Sequence, residues 1–361
     1  MRLVASIRKH LGAAFTLDVA VSLEPGFTML FGASGSGKTT LLRALAGLLT
    51  PDAGSITIGQ RVVFSVVPPI NMPAAARGVG FVFQQLALFP HMTVADNIGY
   101  GLAGADLAVR RRRVHAIADS FQIGHVLSRR PRDVSGGERQ RAALARSLVL
   151  DPTLLLLDEP LSALDHSTQS RIIDDLRAWN VSHDIPILYV THAHREVFAL
   201  GTRVLVMDDG RIVADGLPAD VMDAPGREPV AQIAGFENLF DAMIVDRRPS
   251  AGTMLCRLAR MGTELEVPLA HTRDESPIRL AIRAGDILLA VEKPRGLSAR
   301  NVIDGRLAAI RREGPTVVAD VDARDRFVVH LTPSAADGLG LAADMPVWLI
   351  IKTYSCRVVS A

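Results

Sequence analysis

The eight residues Gly32-Ala33-Ser34-Gly35-Ser36-Gly37-Lys38-Thr39 constrain this chain more than any other feature. They fit the pattern G-x-x-x-x-G-K-[ST], follow a strand-like Met29-Leu30-Phe31 and precede a helix-like run over 40–48. In that context the glycines let backbone N–H groups converge on phosphate oxygens, and the start of the next helix adds a field favourable to an anion. Lys38 supplies a cation to the outer phosphates, the Thr39 hydroxyl suits a magnesium ion, and Thr40 completes the candidate phosphate-binding set. A strand, a loop of this kind and a helix in succession belong to an α/β domain.

The rest of the first two thirds agrees. Apolar runs at 28–31, 80–83, 154–157, 187–190 and 203–207 alternate with helix patterns, which predicts a mostly parallel sheet covered on both faces. The run Leu154-Leu155-Leu156-Leu157 ends in Asp158-Glu159. A strand in the sheet centre delivers its next residues to the C-terminal edge beside the phosphates, so Asp158 is placed to hold magnesium, directly or through water. Glu159 is either a helix-start charge or a general base that polarises an attacking water; the phosphate loop upstream favours the base.

With 361 residues the chain exceeds one ordinary core. Pro225, Gly226 and Pro229 interrupt the pattern, and strand-like segments at 254–258, 279–282 and 287–291 follow. We therefore expect an α/β domain over 1–235 and an all-β domain over 236–361. Forty basic against 38 acidic residues leave a net charge of +2, which gives no electrostatic case for nucleic acid as a partner. The four arginines 110–113 read as a solvated helix face. Cys256 and Cys356 lack metal-ligand spacing and fit a reducing compartment. Arg8, Lys9 and His10 occupy the place of a signal peptide's apolar stretch, and no run is long enough to span a membrane.

A second anion-binding helix start narrows the field. Val134-Ser135-Gly136-Gly137-Glu138-Arg139-Gln140-Arg141 resembles the signature motif of ATP-binding cassette (ABC) ATPases, with Val134 in place of the commoner leucine. A Ser N-cap with Glu three residues on also describes an ordinary capping box, which leaves the paired glycines unexplained. Other elements resemble that family in the same order: Gln84 the Q-loop glutamine, Leu161-Ser162-Ala163-Leu164-Asp165 the D-loop, and His192 the switch histidine. The resemblance implies a P-loop NTPase fold with a helical subdomain, ATP and Mg²⁺ as ligands, and a homodimer in which one subunit's Ser135, Gly136, Gly137 and Asp165 approach ATP held by its partner. It further implies catalytic roles for Glu159, His192 and Gln84, with Gln84 also near the metal held by Thr39 and Asp158. Phe15 is either a platform for adenine stacking or a core residue.

The apolar loop Leu86-Ala87-Leu88-Phe89-Pro90-His91 falls where importer cassettes of this family dock their membrane partner. The resemblance thus implies separate permease subunits, an external substrate-binding protein acting through them, and a peripheral place on the cytoplasmic face of the inner membrane. Residues 296–361, with Ser298-Ala299-Arg300-Asn301 and a distant Ile351-Lys352, resemble the small molybdate-binding-type β-barrel of molybdate importer ATPases. A turn with hydroxyl and backbone donors plus a lysine can hold a tetrahedral oxyanion. Ser298, Ala299, Arg300, Asn301 and Lys352 are the candidate residues, and molybdate is a candidate regulatory ligand. Sulfate, sugar, iron and polyamine importers share the same kind of cassette and are the alternative within the family. A soluble cassette of DNA repair would carry a coiled-coil insertion or second cassette, and a GTPase an Asn-Lys-x-Asp motif; neither is present.

Overall fold

The computed structural model describes residues 2–12, 15–162, 164–223, 230–231, 234–270, 277–314 and 316–359. Pro225, Gly226, Pro229 and Ala163, which the sequence reading used, lie outside them. The chain divides into two compact units, Met1–Ala219 and Asp220–Ala361.

The first unit holds two sheets. Strands β3 (Gly26–Phe31), β7 (Val79–Val82), β8 (Leu154–Asp158), β9 (Pro186–Val190) and β10 (Arg203–Asp208) run parallel in the order β10-β3-β9-β8-β7, with β11 (Arg211–Gly216) antiparallel at the edge. Every residue of β8 and β9 is buried, as unbroken apolar runs require of strands covered on both faces. The second sheet is a feature that the reading of the sequence missed. It joins β1 (Leu3–Leu11), β2 (Phe15–Leu23), β4 (Ala53–Ile58), β5 (Arg61–Ser65) and β6 (Ile70–Asn71) antiparallel in the order β2-β1-β4-β5-β6. In β1, Leu3, Ala5 and Ile7 are buried while Val4, Ser6 and Arg8 are exposed.

Helix α1 (Lys38–Ala46) contributes Leu41, Leu42, Ala44, Leu45 and Ala46 to one core shared with strands of both sheets. Each fully buried leucine contributes about 1.5–3 kcal/mol of hydrophobic free energy, so the helix that starts at the phosphate loop is fixed by its packing. A helical region follows, with α2 (Val94–Ile98) capped by Thr93, α3 (Leu107–Ser120) capped by Asp106 and α4 (Gly136–Leu148) capped by Ser135. Arg111 and Arg112 are exposed on α3, while Arg110 pairs with Asp96 and Arg113 with Asp151.

The second unit is two five-stranded antiparallel sheets. One orders β12 (Asn238–Arg248), β13 (Thr253–Leu258), β14 (Glu264–Pro268), β15 (Ile278–Ile282) and β21 (Cys356–Val359) as β14-β13-β12-β15-β21. The other orders β16 (Ile287–Ala290), β17 (Asn301–Glu313), β18 (Thr316–Ala323), β19 (Asp325–Leu331) and β20 (Pro346–Ile351) as β16-β20-β17-β18-β19. They share one apolar core running from Ala242 to Cys356, so the barrel strands of 296–361 pack against the segment before them.

Buried side chains stitch the two sheets together by imitating backbone. Asn238 donates to Val328 O at 2.8 Å and accepts from Val328 N at 2.7 Å. Asn301 treats Glu266 the same way, at 2.9 and 2.7 Å. Asp325 accepts from the backbone N–H of Met261 and Thr263, both at 3.2 Å. Each of these groups is satisfied, which removes the cost of about 1–3 kcal/mol that a buried unpaired polar group carries.

Candidate active site

The phosphate loop lies between β3 and α1, and its glycines answer to specific neighbours. A Cβ on Gly32 would come within 2.3 Å of the Met207 carbonyl oxygen. Gly37 has φ +105° and faces Phe15, whose Cζ would lie 2.8 Å from an added Cβ. Lys38 Nζ donates to the carbonyls of Gly32 (2.9 Å) and Ala33 (2.7 Å), which hold the ammonium over the loop. Burial lowers the pKa of Lys38, and the nearby carboxylates of Glu159 and Asp158 oppose that shift.

Thr39 Oγ1 donates to Asp158 Oδ2 at 3.0 Å, linking the first turn of α1 to the end of β8. Desolvation raises the Asp158 pKa, and the Thr39 hydrogen bond acts against it. Among the described residues no group of three or more His, Cys, Asp and Glu is gathered for a metal. The set present, one hydroxyl, one carboxylate and a neighbouring amide, is all oxygen in its ligating atoms. It suits a hard cation that completes its shell with water and phosphate oxygens, and so fits magnesium.

Glu159 leaves β8 with φ +47°, a left-handed conformation that costs a non-glycine residue about 1–2 kcal/mol. Its N–H donates to Val190 O at 3.1 Å, and its carbonyl accepts from the Ser162 N–H (3.4 Å) and hydroxyl (3.1 Å). These bonds turn the chain out of the strand and aim the side chain into a cleft of about 670 Å³. There Gln84 Nε2 donates to Glu159 Oε2 at 3.2 Å, and His192 Nδ1 lies 3.5 Å from Oε1. Phe15, Gly32, Ser34, Gly35, Gly37, Lys38, Thr39, Thr40, Gln84, Glu159 and His192 line this one cleft, so most of the expected site is brought together.

Ser135, Gly136, Gly137 and Asp165 are not among the residues lining it. Ser135 caps α4 in a reciprocal box with Glu138, and a Cβ on Gly137 would lie 2.6 Å from Thr168 Cγ2. Asp165 caps α5 (His166–His183), accepting from the N–H and hydroxyl groups of Ser167 and Thr168, and these bonds hold its carboxyl well below the usual range.

Next to Gln84 the loop 86–91 is held by two side chains that the sequence did not single out. Arg146 donates to the carbonyls of Leu86 (2.9 Å) and Ala87 (2.8 Å) and lies 5.5 Å over the Phe89 ring. Buried Asn97 accepts from Phe89 N (2.7 Å) and donates to Phe89 O (3.1 Å). The loop is therefore a shaped surface, with Pro90 and His91 exposed.

In the second unit Ser298, Arg300 and Lys352 are exposed and Ala299 is half-buried. The pairing of Asn301 with Ile351 brings Arg300 and Lys352 to the same end of the β17–β20 ladder. The Asn301 side chain is a correction to the candidate set: it is buried, its amide oxygen accepts from the Glu266 N–H and an amide N–H donates to the Glu266 carbonyl, so its role is to stitch sheets.

The ABC transporter family profile matches residues 17–162, and the TOBE domain profile matches 297–358. A molybdenum import ATP-binding protein of Rhizobium etli is 37% identical over 98% of this chain and 99% of its own length. The chain belongs to the ABC transporter ATP-binding proteins. Counterparts of the same description from Mesorhizobium japonicum and Brucella abortus are each 35% identical, over 97% and 98% of this chain and 95% and 97% of their own lengths. Among solved structures, the dimeric post-hydrolysis state of the ATP-binding cassette MJ0796 bound to ADP and Pi aligns with a TM-score of 0.53 at 25% identity, covering 60% of this chain and 99% of that one. This ABC ATPase contains no helix, among the described residues, long and apolar enough to cross a membrane.

Proposed function

We propose that this chain is the ATP-hydrolysing subunit of an importer for molybdate, with tungstate as the second oxyanion of like charge and size. One observation carries the hydrolytic half: the Glu159 carboxylate is held between Gln84 and His192 in the same cleft as Lys38 and the phosphate loop. In this reading the loop from Gly32 to Thr39, with Thr40, cradles the phosphates, Phe15 stacks on adenine, and Lys38 binds the outer phosphates. Thr39, Asp158 and Gln84 hold magnesium, which when bound offsets phosphate charge. Glu159 accepts a proton from the attacking water, and His192 and Gln84 orient the carboxylate and the terminal phosphate.

The signature residues Ser135, Gly136 and Gly137, with Asp165 nearby, serve the ATP of a partner copy, which makes the working unit a homodimer. The family similarity to a dimeric cassette supports this arrangement. The loop 86–91, stiffened by Arg146 and Asn97, receives the cytoplasmic loop of a separate permease. The protein then works peripherally at the cytoplasmic face of the membrane, coupled through the permease to an external substrate-binding protein. We assign ATPase function to about 1–235 and a regulatory or dimerising function to 236–361.

The choice of molybdate is supported by relatives that match both units over nearly their full length. The test is hydrolysis by the chain assembled with its permease and capture protein: molybdate should stimulate it and sulfate should not. Stimulation by sulfate, sugar or iron instead would move the chain to another importer class.

Ser298, Arg300 and Lys352 are proposed to hold internal molybdate, as a feedback inhibitor. Isothermal titration of the full chain should give a binding isotherm with molybdate and none with sulfate or phosphate. The Ser298→Ala, Lys352→Ala double variant should lose it. Absence of binding in the unmodified chain, or hydrolysis by the assembled transporter that ignores molybdate at millimolar concentration, overturns the regulatory site.

A further inference from the structure

The signature helix starts with a feature that works against its proposed task. Glu138, at the third position of α4, places a carboxylate at the helix start that has to receive a phosphate. Its Oε2 accepts from the Ser135 N–H at 2.7 Å and from the Ser135 hydroxyl at 2.8 Å. The single hydroxyl proton of Ser135 is thus spent on Glu138. To donate to a phosphate, Ser135 has to release that bond, leaving the carboxylate less satisfied beside an approaching anion.

The other oxygen of the same carboxylate is not left to solvent. His125, in the short turn Gly124–Val126 ahead of the signature, places Nε2 2.9 Å from Glu138 Oε1. The imidazole meets the carboxylate oxygen that Ser135 does not use, so this contact does not depend on the serine hydroxyl.

We propose that His125 is a positioning residue for the signature motif: it holds and screens the Glu138 carboxylate so that Ser135 can turn its hydroxyl from Glu138 to a phosphate. This deepens the reading above and rests on it, because it takes Ser135 to be a phosphate donor. The pair is largely exposed on the histidine side, with side-chain exposures of 63% and 22%, so with the imidazole protonated its effect is in the range of surface ion pairs. That corresponds to about two- to fivefold in apparent affinity, weakening as salt screens the charge.

The experiment is steady-state MgATP hydrolysis by the full chain at about pH 6, where an imidazole carries charge, and at low and high ionic strength, for the unmodified protein and for His125→Ala, Glu138→Gln, the double variant and Ser135→Ala. His125→Ala should raise KM for ATP about two- to fivefold at low salt, with kcat and the melting temperature little changed. The increase should shrink at high salt and be absent in the Glu138→Gln background, where no charge needs screening. An unchanged KM, or an equal increase with Gln at 138 or at high salt, overturns the proposal and leaves His125 as a structural residue. Ser135→Ala separates the two readings: if it hydrolyses ATP like the unmodified chain, the signature assignment itself falls and the inference with it.

Discussion

Replacing Glu159 by Gln lowers kcat for ATP hydrolysis about 10²- to 10⁴-fold, the usual contribution of a general base, while ATP still binds. The substitution keeps shape and hydrogen-bonding reach, so Gln84 and His192 retain a neighbour in the cleft. What it removes is the ability to take a proton. It also removes one of the negative charges that face Lys38 and an incoming phosphate, so binding should hold or tighten. The left-handed backbone at 159 is paid for by bonds from main-chain atoms and Ser162, none of which involves the carboxylate, so the fold should survive. Phosphate release measures kcat, and titration with a fluorescent nucleotide measures binding. Turnover within tenfold of the unmodified chain would assign the base to another residue.

The residues of this cleft, and of the signature outside it, were legible because their chemistry is written in short, ordered strings. Gly32 to Thr39, Leu154 to Glu159 and the signature at 134–141 each couple a local backbone shape to a fixed residue type. The parallel strands were legible for the same reason: β8 and β9 are buried on both faces, so their whole length is apolar. The antiparallel sheet was not. In β1 the exposed Val4 sits between buried Leu3 and Ala5 and masks the period of two. Side chains that work over long separations were also invisible. Asn301 looked like part of an anion-binding turn, and only the approach of Glu266, 35 positions away, turns it into a stitch between sheets. Arg146 and Asn97 sit on helices where nothing in the local pattern points to the loop at 86–91. The left-handed Glu159 had no local signal either, since glycine or asparagine would be the usual residue there.

Arg77 belongs with these hidden residues, and its replacement by Met carries the largest expected effect on stability. The side chain is 1% exposed, and its guanidinium donates from Nε to Met72 O (3.0 Å), from Nη1 to the carbonyls of Ala44 and Leu45 (both 3.1 Å), and from Nη2 to Asn71 Oδ1 (3.1 Å). Ala44 and Leu45 are in the last turn of α1, where the dipole favours a cation; the Ala44 carbonyl also accepts from the Gly47 N–H at 3.2 Å, whereas Arg77 is the partner of the Leu45 carbonyl. Gly47 ends the helix with φ +81°, and a Cβ there would lie 2.5 Å from Arg77 Nε, so the chain has made room for this contact. Burial lowers the Arg77 pKa, yet a guanidinium starts high enough to stay charged. Met fills much of the stem volume and supplies no donor, leaving the buried Leu45 carbonyl unpaired at about 1–3 kcal/mol and removing bonds to Ala44, Met72 and Asn71 that have other partners or reach solvent, so the expected loss is about 2–4 kcal/mol. Lys retains the charge but cannot span four acceptors in one plane, and Arg77→Lys should fall between the two. Because α1 begins at the phosphate loop, a helix loosened at its far end should also raise KM for ATP before it lowers kcat. Thermal and urea unfolding of the full chain measure the first effect, and hydrolysis well below the melting temperature measures the second. A stability loss under about 1 kcal/mol would mean that water satisfies those carbonyls and that α1 is held by its apolar face alone.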